Sequence, residues 1–137
     1  DNNLDLIEQL DIADDVTIVS DPEKLIDLVD GVVIATPTGT HYTLAKMFLK
    51  ESIAVLVEKP IASSVEEAEE LMQIASQNNT VFMVGHIERF NSAVIALPQY
   101  IDKPLHFEFR RISPFSGRVR KIIVTDLMIH DLELLCF

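Results

Sequence analysis

The sequence predicts an α/β fold built on a doubly wound parallel sheet. Three apolar runs, rich in β-branched residues and each long enough for one strand, occur at residues 31–35, 53–57 and 81–84. A strand that is apolar on both faces is typical of a parallel sheet covered by helices on either side. Segments with helical periodicity separate the three runs, so strand and helix alternate up to residue 86.

Composition narrows the class of protein. The 137 residues are 48% hydrophobic and 24% charged, with a formal net charge of −11. Because an acidic chain repels nucleic acid and anionic membranes, we expect neither as a partner. The one cysteine, Cys136, excludes a disulfide framework and a cysteine-rich zinc site, and it fits a cytoplasmic location. No apolar run approaches the roughly 20 residues that span a bilayer.

A short strand and a short helix are expected before the first apolar run. Residues 16–19 are β-branched and predict a strand. Residues 20–23 combine a capping side chain with Pro22, which favours a helix start. The apolar stripe of that helix consists of Leu25, Leu28 and Val29.

Two longer helices are predicted between the three strands. Residues 40–50 place Leu44, Met47 and Phe48 on one side of the first. Ser64 and Glu67 stand three residues apart, as in a capping box, at the start of the second. Its expected apolar face consists of Val65, Ala68, Leu71, Met72 and Ala75.

The rhythm changes after residue 86, which predicts a domain junction and a division into 1–88 and 89–137. Residues 91–101 favour a helix interrupted at Pro98. Residues 105–112 alternate apolar and polar side chains, which predicts a half-buried antiparallel strand. Residues 126–137 favour a helix that the sequence end interrupts, so we expect an incomplete second domain.

A turn containing Thr36, Pro37, Thr38 and His41 follows the first apolar run. Ligands of open α/β sheets bind beyond the carboxyl ends of the strands, and a helix N-terminus offers N–H donors to an anion. The alternative is a plain strand-to-helix loop that needs Pro, Gly and a capping Thr for its conformation.

Glu58, Lys59 and Pro60 follow the second run and are expected to reach the same crevice. A lysine there could hold a substrate hydroxyl and stabilise developing alkoxide charge. The alternative is a solvated ion pair at a strand end.

Asp126 and His130 stand four residues apart, which places both on one face of an α-helix. A histidine near an aspartate is suited to general-base catalysis. The alternative is a capping aspartate and a partly buried histidine, and no further ligand at suitable spacing supports a metal site.

Taken in order, four segments resemble the Gfo/Idh/MocA family of oxidoreductases, whose members include glucose–fructose oxidoreductase and inositol dehydrogenase. The matching segments are DGVVIATPTGTH at 30–41, VEKPIA at 57–62, VGHIERFN at 84–91 and DLMIHD at 126–131. Residues 85–91, with SPFSGRV at 113–119, look most like UDP-N-acetylglucosamine 3-dehydrogenases within that family.

The resemblance implies roles for these residues. Lys59 binds the hydroxyl beside the nicotinamide, His130 takes the hydroxyl proton, and Asp126 orients His130 and the substrate. Arg89 and Asn91 approach the substrate. The residues implied to line the crevice of NAD or NADP are Thr36, Pro37, Thr38, His41, Glu58 and Lys59.

The expected fold is therefore the C-terminal half of a Rossmann sheet joined to the beginning of an α+β catalytic domain with an antiparallel sheet, truncated at both ends. No G-x-G-x-x-G segment occurs in the sequence, so the phosphate-binding turn of such a fold is missing. The expected activity moves hydride between NAD(P) and a hydroxyl of a sugar, nucleotide-sugar or cyclitol, in a homo-oligomer when the protein is complete. The alternatives are an inactive remnant, an interaction module, and a dihydrodiol or tetrapyrrole reductase of the same family.

Overall fold

A three-stranded sheet and two helices contain most of the buried core residues. The computed structural model describes residues 16–110, 112 and 124–136. The sheet has the strand order β1 (Gly31–Ile34), β2 (Ala54–Val57) and β3 (Phe82–Val84), with α1 (His41–Lys50) and α2 (Val65–Gln77) as its connections. This arrangement confirms the predicted alternation of strand and helix in a Rossmann-type parallel sheet.

The pairing of β1 with β2 determines which loops lie next to each other. The two strands are parallel, and their register runs from Gly31 opposite Ala54 to Ile34 opposite Val57. On the other side of β2, the Val55 N–H donates to the Val81 carbonyl over 2.9 Å. Since parallel strands end at the same edge of a sheet, the loops after β1 and β2 leave side by side.

The two faces of the sheet differ in burial, which corrects the expectation that its strands are covered on both sides. Ile34, Val55 and Val57 are buried on the face against which α1 packs. Val33, on the opposite face, is 68% exposed. Apolar residues on both sides of a strand predict that both faces of the sheet are buried, but residues 16–83 bury only one of them.

The exposed face carries a shallow apolar depression of about 260 Å³. Its lining is entirely made of strand residues and their neighbours: Gly31, Val32, Val33, Ala54, Val55, Leu56, Val81 and Met83. No residue of the loops that follow β1 and β2 contributes to it, so this depression is separate from the predicted cofactor crevice.

Helices α1 and α2 pack against each other and close the buried side of the core. Phe48 and Leu49 of α1 and Leu71 of α2 are buried. The apolar face predicted for α2 is wrong at two positions, because Val65 is 68% exposed and Met72 is 61% exposed. Helical periodicity identifies an apolar stripe, but only the neighbouring elements decide how wide a stripe they cover.

The predicted helix starts are present in the structure. Asp21 accepts a hydrogen bond from the Glu23 N–H over 3.0 Å and begins a 3-10 helix at Pro22–Leu25. Ser64 caps α2 by accepting from the Glu67 N–H over 3.3 Å. The Glu67 carboxylate reaches back to the Ser63 N–H over 2.9 Å, one residue earlier than in the usual capping box.

The chain divides into two compact units, Asp1–Met83 and Val84–Phe137, and the described residues of the second are mainly helical. Its elements are a 3-10 helix at Ile87–Phe90, α3 (Ser92–Ala96), a 3-10 helix at Leu97–Gln99, a π-helical turn at Val124–Met128 and α4 (Ile129–Leu135). The break of the α3 segment at Pro98 agrees with the predicted interruption. Among the described helices, none has the length and apolar character of a membrane span.

Two predicted strands do not form. Residues 16–19 have no strand conformation, and neither do residues 105–110 or 112 of the alternating segment. Leu105 is fully exposed, and the rings of Phe107 and Phe109 stack on each other with centroids 6.4 Å apart. Alternation predicts which face of a strand would be apolar, but a strand also needs a hydrogen-bonding partner along its edge.

Beyond the sheet, a polar cluster ties α1 to α2. Lys46 Nζ lies 2.6 Å from Glu70 Oε1 and donates to the Tyr42 hydroxyl over 2.7 Å, and Tyr42 donates to Glu70 Oε2 over 2.5 Å. The hydrogen bond from Lys46 lowers the pKa of Glu70, and the hydrogen bond to Glu70 raises the pKa of Lys46. Both side chains remain partly exposed, so solvent screens the pair.

We predict that Ser64→Ala lowers the free energy of unfolding by about 1 kcal/mol, because the Glu67 N–H loses its acceptor. Urea denaturation followed by circular dichroism measures the change. The control is Ser76→Ala, an exposed position in the same helix. An equal loss in both variants would contradict a specific contribution of the cap.

We also predict that the stability difference between the wild type and Glu70→Gln depends on pH. Because the folded protein lowers the pKa of Glu70, the contribution of its carboxylate is present at neutral pH and is lost as the pH falls through the acidic range. Urea midpoints measured from pH 7 down to pH 3 test this. Glu69→Gln, an exposed neighbour, is the control, and a difference that stays constant with pH would refute the prediction.

Candidate functional site

The loop after β1 forms the first part of the candidate site. It passes through Thr36 and Pro37 into a 3-10 turn at Thr38–Thr40, and α1 then begins at His41. The N–H of Thr40 donates to the Pro37 carbonyl over 2.9 Å, so the turn is closed by its own backbone. Its position beyond the carboxyl end of a parallel strand is where open α/β sheets bind ligands.

The hydroxyl groups of this loop are ordered by one another. Thr40 Oγ1 donates to the Pro37 carbonyl over 2.8 Å, and it lies 2.7 Å from Thr36 Oγ1. Since a hydroxyl has one hydrogen, Thr40 has none left for Thr36, and Thr36 is the donor of that pair. The exposed Thr36 oxygen therefore retains lone pairs with which it can accept a hydrogen bond from a ligand.

His41 lies behind this loop rather than on its surface. Its side chain is buried, with 1% of its area exposed. Nε2 lies 2.7 Å from the Thr36 carbonyl oxygen, and Nδ1 lies 2.8 Å from the Pro60 carbonyl oxygen. Both ring nitrogens are thus engaged by the protein's own backbone, one partner from each of the two adjacent loops.

The loop after β2 contributes Glu58, Lys59 and Pro60. The Glu58 N–H donates to the Ile34 carbonyl over 2.9 Å, which extends the pairing with β1 by one residue. Glu58 Oε2 accepts from the Lys59 N–H over 3.3 Å, and the Lys59–Pro60 peptide bond is cis. All three residues are partly exposed. The structure therefore places Lys59 at the sheet edge that also bears Thr36, and its predicted role in the site stays a prediction.

In the second unit, Arg89 and Asn91 engage residues of that unit. Arg89 Nε donates to Glu133 Oε1 over 2.5 Å and joins the Ile87–Phe90 turn to α4. Asn91 caps α3 by accepting from the Ala93 N–H over 3.0 Å, and its amide donates to Glu88 over 3.2 Å. The predicted contact of Arg89 and Asn91 with substrate stays a prediction, but both side chains also order this unit.

The predicted catalytic pair lies on a helical segment. Residue 126 belongs to the π-helical turn, and His130 is a partly buried residue in the first turn of α4. The side chain of Asp126 lies outside the described residues. The helix becomes α-helical only at Ile129, so the shared face expected from α-helical spacing stays a prediction.

Sequence reasoning missed Glu133 and the bridging position of His41. Glu133 is only 8% exposed in its side chain and lies three residues after His130, where it receives Arg89. An acidic residue on the apolar side of a helix is the signal that could have identified it. Across the described residues, no three His, Cys, Asp or Glu side chains cluster in a way that could hold a metal ion.

The sheet and the edge loops, which are the loops that follow β1 and β2, define a Rossmann-type protein, and comparison with known proteins identifies its family. Residues 1–86 match the GFO_IDH_MocA family, described as an oxidoreductase family with an NAD-binding Rossmann fold. A UDP-N-acetylglucosamine 3-dehydrogenase of Acidithiobacillus ferrooxidans is 38% identical over 114 residues, which cover 82% of this chain and 36% of the relative. An inositol 2-dehydrogenase of Rhizobium meliloti is 30% identical over 119 residues, which cover 80% and 36%.

A solved structure of the Acidithiobacillus enzyme superposes with a TM-score of 0.80 at 35% identity, covering 86% of this chain and 40% of that one. The chain belongs to the Gfo/Idh/MocA family of oxidoreductases, which confirms the resemblance deduced from its motifs. It spans less than half the length of these relatives.

We predict that Arg89→Ala destabilises the protein by about 1–2 kcal/mol, because the buried Glu133 carboxylate loses its guanidinium partner. A fully buried pair would lose more, but 43% of the Arg89 side chain is exposed. Arg89→Met combined with Glu133→Leu recovers part of the loss, since no buried charge remains. Urea denaturation of Arg89→Met, Glu133→Leu and the double variant measures the coupling, and strictly additive losses would contradict it.

Proposed function

We propose that the intact protein transfers hydride between NAD or NADP and a hydroxyl of a sugar, nucleotide-sugar or cyclitol. The observation that carries this proposal is the edge of the sheet. The register of β1 and β2 brings the Thr36–Thr40 loop and Lys59 to the same edge, where cofactors of this fold bind. Relatives that oxidise a nucleotide-sugar and inositol support a polyhydroxylated substrate.

Lys59 is the residue proposed to bind the reacting oxygen. Its ammonium group can donate a hydrogen bond to the substrate hydroxyl and stabilise negative charge that develops as the O–H bond weakens. Its partly exposed position at the carboxyl end of β2 is suited to a group that meets a ligand from solvent. Glu58 fixes the backbone at this point through the Lys59 N–H.

His130 is the proposed general base, and Asp126 is proposed to orient it and the substrate. Oxidation of an alcohol removes a proton from oxygen and a hydride from carbon, and a neutral imidazole accepts a proton near neutral pH. The proposal requires His130 and Lys59 to reach the same substrate oxygen in the intact protein. Arg89 and Asn91 are proposed to lie close enough to the substrate to contact it.

The loop after β1 fits the nicotinamide end of a dinucleotide. The Thr36 oxygen is left as an acceptor by its bond to Thr40, and an acceptor suits the hydroxyl and amide donors of such a cofactor. Pro37, Thr38 and Glu58 are proposed to line the same crevice. NAD or NADP, when bound, supplies the carbon that accepts hydride. In this proposal, residues 1–88 belong to the dinucleotide-binding domain and residues 89–137 to the substrate domain of a cytoplasmic homo-oligomer.

We predict that Lys59→Ala and His130→Ala each reduce turnover of the intact protein by about 10²–10⁴-fold, the range for loss of acid–base assistance. Binding of NAD(H), followed by fluorescence titration, stays close to that of the wild type. Steady-state rates are measured with UDP-N-acetylglucosamine and with inositol, each with NAD and with NADP.

The matched controls for these variants are Lys50→Ala and His106→Ala, two exposed positions outside the proposed site. Near-normal turnover in both Lys59→Ala and His130→Ala would remove these residues from the mechanism. A protein that binds neither cofactor would favour the inactive remnant, and turnover of tetrapyrroles or dihydrodiols alone would favour a reductase.

A further inference from the structure

His41 has a local environment that a cofactor-lining residue does not need. Its side chain is buried, with 1% of its area exposed. It begins α1, directly after the loop that carries Thr36. A histidine placed only to cap a strand-to-helix connection would not need to be buried with both ring nitrogens in contact with backbone.

The two partners of the His41 ring have the same chemistry. The Thr36 and Pro60 oxygens, at 2.7 Å and 2.8 Å, are both backbone carbonyls, which accept hydrogen bonds and cannot donate them. A neutral imidazole has one N–H and one bare nitrogen, so it can satisfy only one of these carbonyls. Both contacts are hydrogen bonds only when each ring nitrogen carries a hydrogen, as in the imidazolium ion.

We propose that His41 is a positioning residue whose imidazolium donates one hydrogen bond to each of the two loops at the sheet edge. Thr36 follows β1 and Pro60 follows β2. The pairing of the strands makes these two loops neighbours, and the His41 ring connects them to each other. Pro60 is the neighbour of Lys59, and the bond to its carbonyl fixes where the Lys59 side chain starts. This inference rests on the proposed function, in which Lys59 meets the substrate beside the Thr36 loop.

The consequence for catalysis is that His41 fixes the distance between the Thr36 loop and the Lys59–Pro60 segment. A displacement of about 1 Å at a reacting group lowers the rate on the order of 10²-fold, even when the altered residue is remote from the chemistry. His41 does not touch the substrate in this account. It acts through the Lys59–Pro60 segment, and it replaces the role of cofactor contact that the sequence suggested for it, because both ring nitrogens are already used.

The first arm of the test does not depend on activity. Two-dimensional ¹⁵N–¹H NMR of the protein, selectively labelled at histidine and assigned by comparison with His41→Gln, reports how many ring nitrogens carry hydrogen. At pH 7 we expect the His41 signals of an imidazolium with hydrogen on both nitrogens. Signals of a neutral tautomer, with one bare nitrogen, would overturn the proposal.

The second arm uses turnover and cofactor affinity of the intact protein. His41→Gln and His41→Asn keep a donor for one loop at most, so turnover falls on the order of 10²-fold while the dissociation constant for NAD(H) changes little. The control is Tyr42→Phe, the next residue of α1, which loses a hydrogen bond to Glu70 but none to the edge loops. Unchanged turnover in both His41 variants, or an equal loss in the control, would contradict a positioning role.

The two arms separate this inference from the function on which it rests. A wild-type protein without dehydrogenase turnover would refute the proposed function, whereas the NMR signals would still decide whether the ring bridges two carbonyls. If a His41 variant does not fold, the His41 signals of the wild type are assigned by sequential backbone assignment. That spectrum alone then decides whether both ring nitrogens donate. Normal wild-type turnover combined with a neutral His41 ring would support the proposed function and refute the donation of two hydrogen bonds by His41.

Discussion

The parallel pairing of β1 with β2 is the constraint on which the candidate site depends. Each strand is short, and neither edge loop contains a regular element longer than a 3-10 turn. The register that sets Ile34 opposite Val57 therefore decides that the Thr36 loop and the Lys59 segment emerge together. The hydrogen bonds of His41 then convert this proximity into a fixed spacing, because they hold one carbonyl of each loop.

Burial on one face of the sheet follows from the same register. Val32 and Ile34 align with Val55 and Val57, so four β-branched side chains share the side against which α1 packs. Gly31 and Val33 align with Ala54 and Leu56 on the opposite side, where the apolar depression lies. Helix α1 thus covers the strands from one side, and the polar cluster of Tyr42, Lys46 and Glu70 links α1 to α2.

Local signals in the sequence predicted the helix starts well, because a capping residue at such a position has a specific structural role. Asp21 before Pro22, and Ser64 before Glu67, marked helix starts because few side chains can accept from a free N–H at that position. The apolar runs likewise marked β1, β2 and β3 to within a residue or two. These elements predicted which loops follow β1 and β2. The segments that contain Thr36 and Lys59 then indicated the family.

Features that depend on distant residues were beyond the reach of the sequence. Pro60 is 19 residues from His41 and Glu133 is 44 residues from Arg89, so no local pattern indicates either contact. The alternating segment with Phe107 was predicted as a strand because alternation reports a face and contains no information on a pairing partner. For the same reason the exposure of Val33 was not predicted, since an apolar residue does not reveal what covers it.

The most direct measurement of the central claim is a crystal structure of the intact protein with NAD or NADP bound. The account predicts that the His41 ring stays buried, with its two nitrogens within hydrogen-bond distance of the Thr36 and Pro60 carbonyl oxygens, while Thr36 and Lys59 face the nicotinamide ring. A His41 ring that turns out of this position to contact the cofactor, or a Lys59 side chain directed away from the nicotinamide, would contradict it.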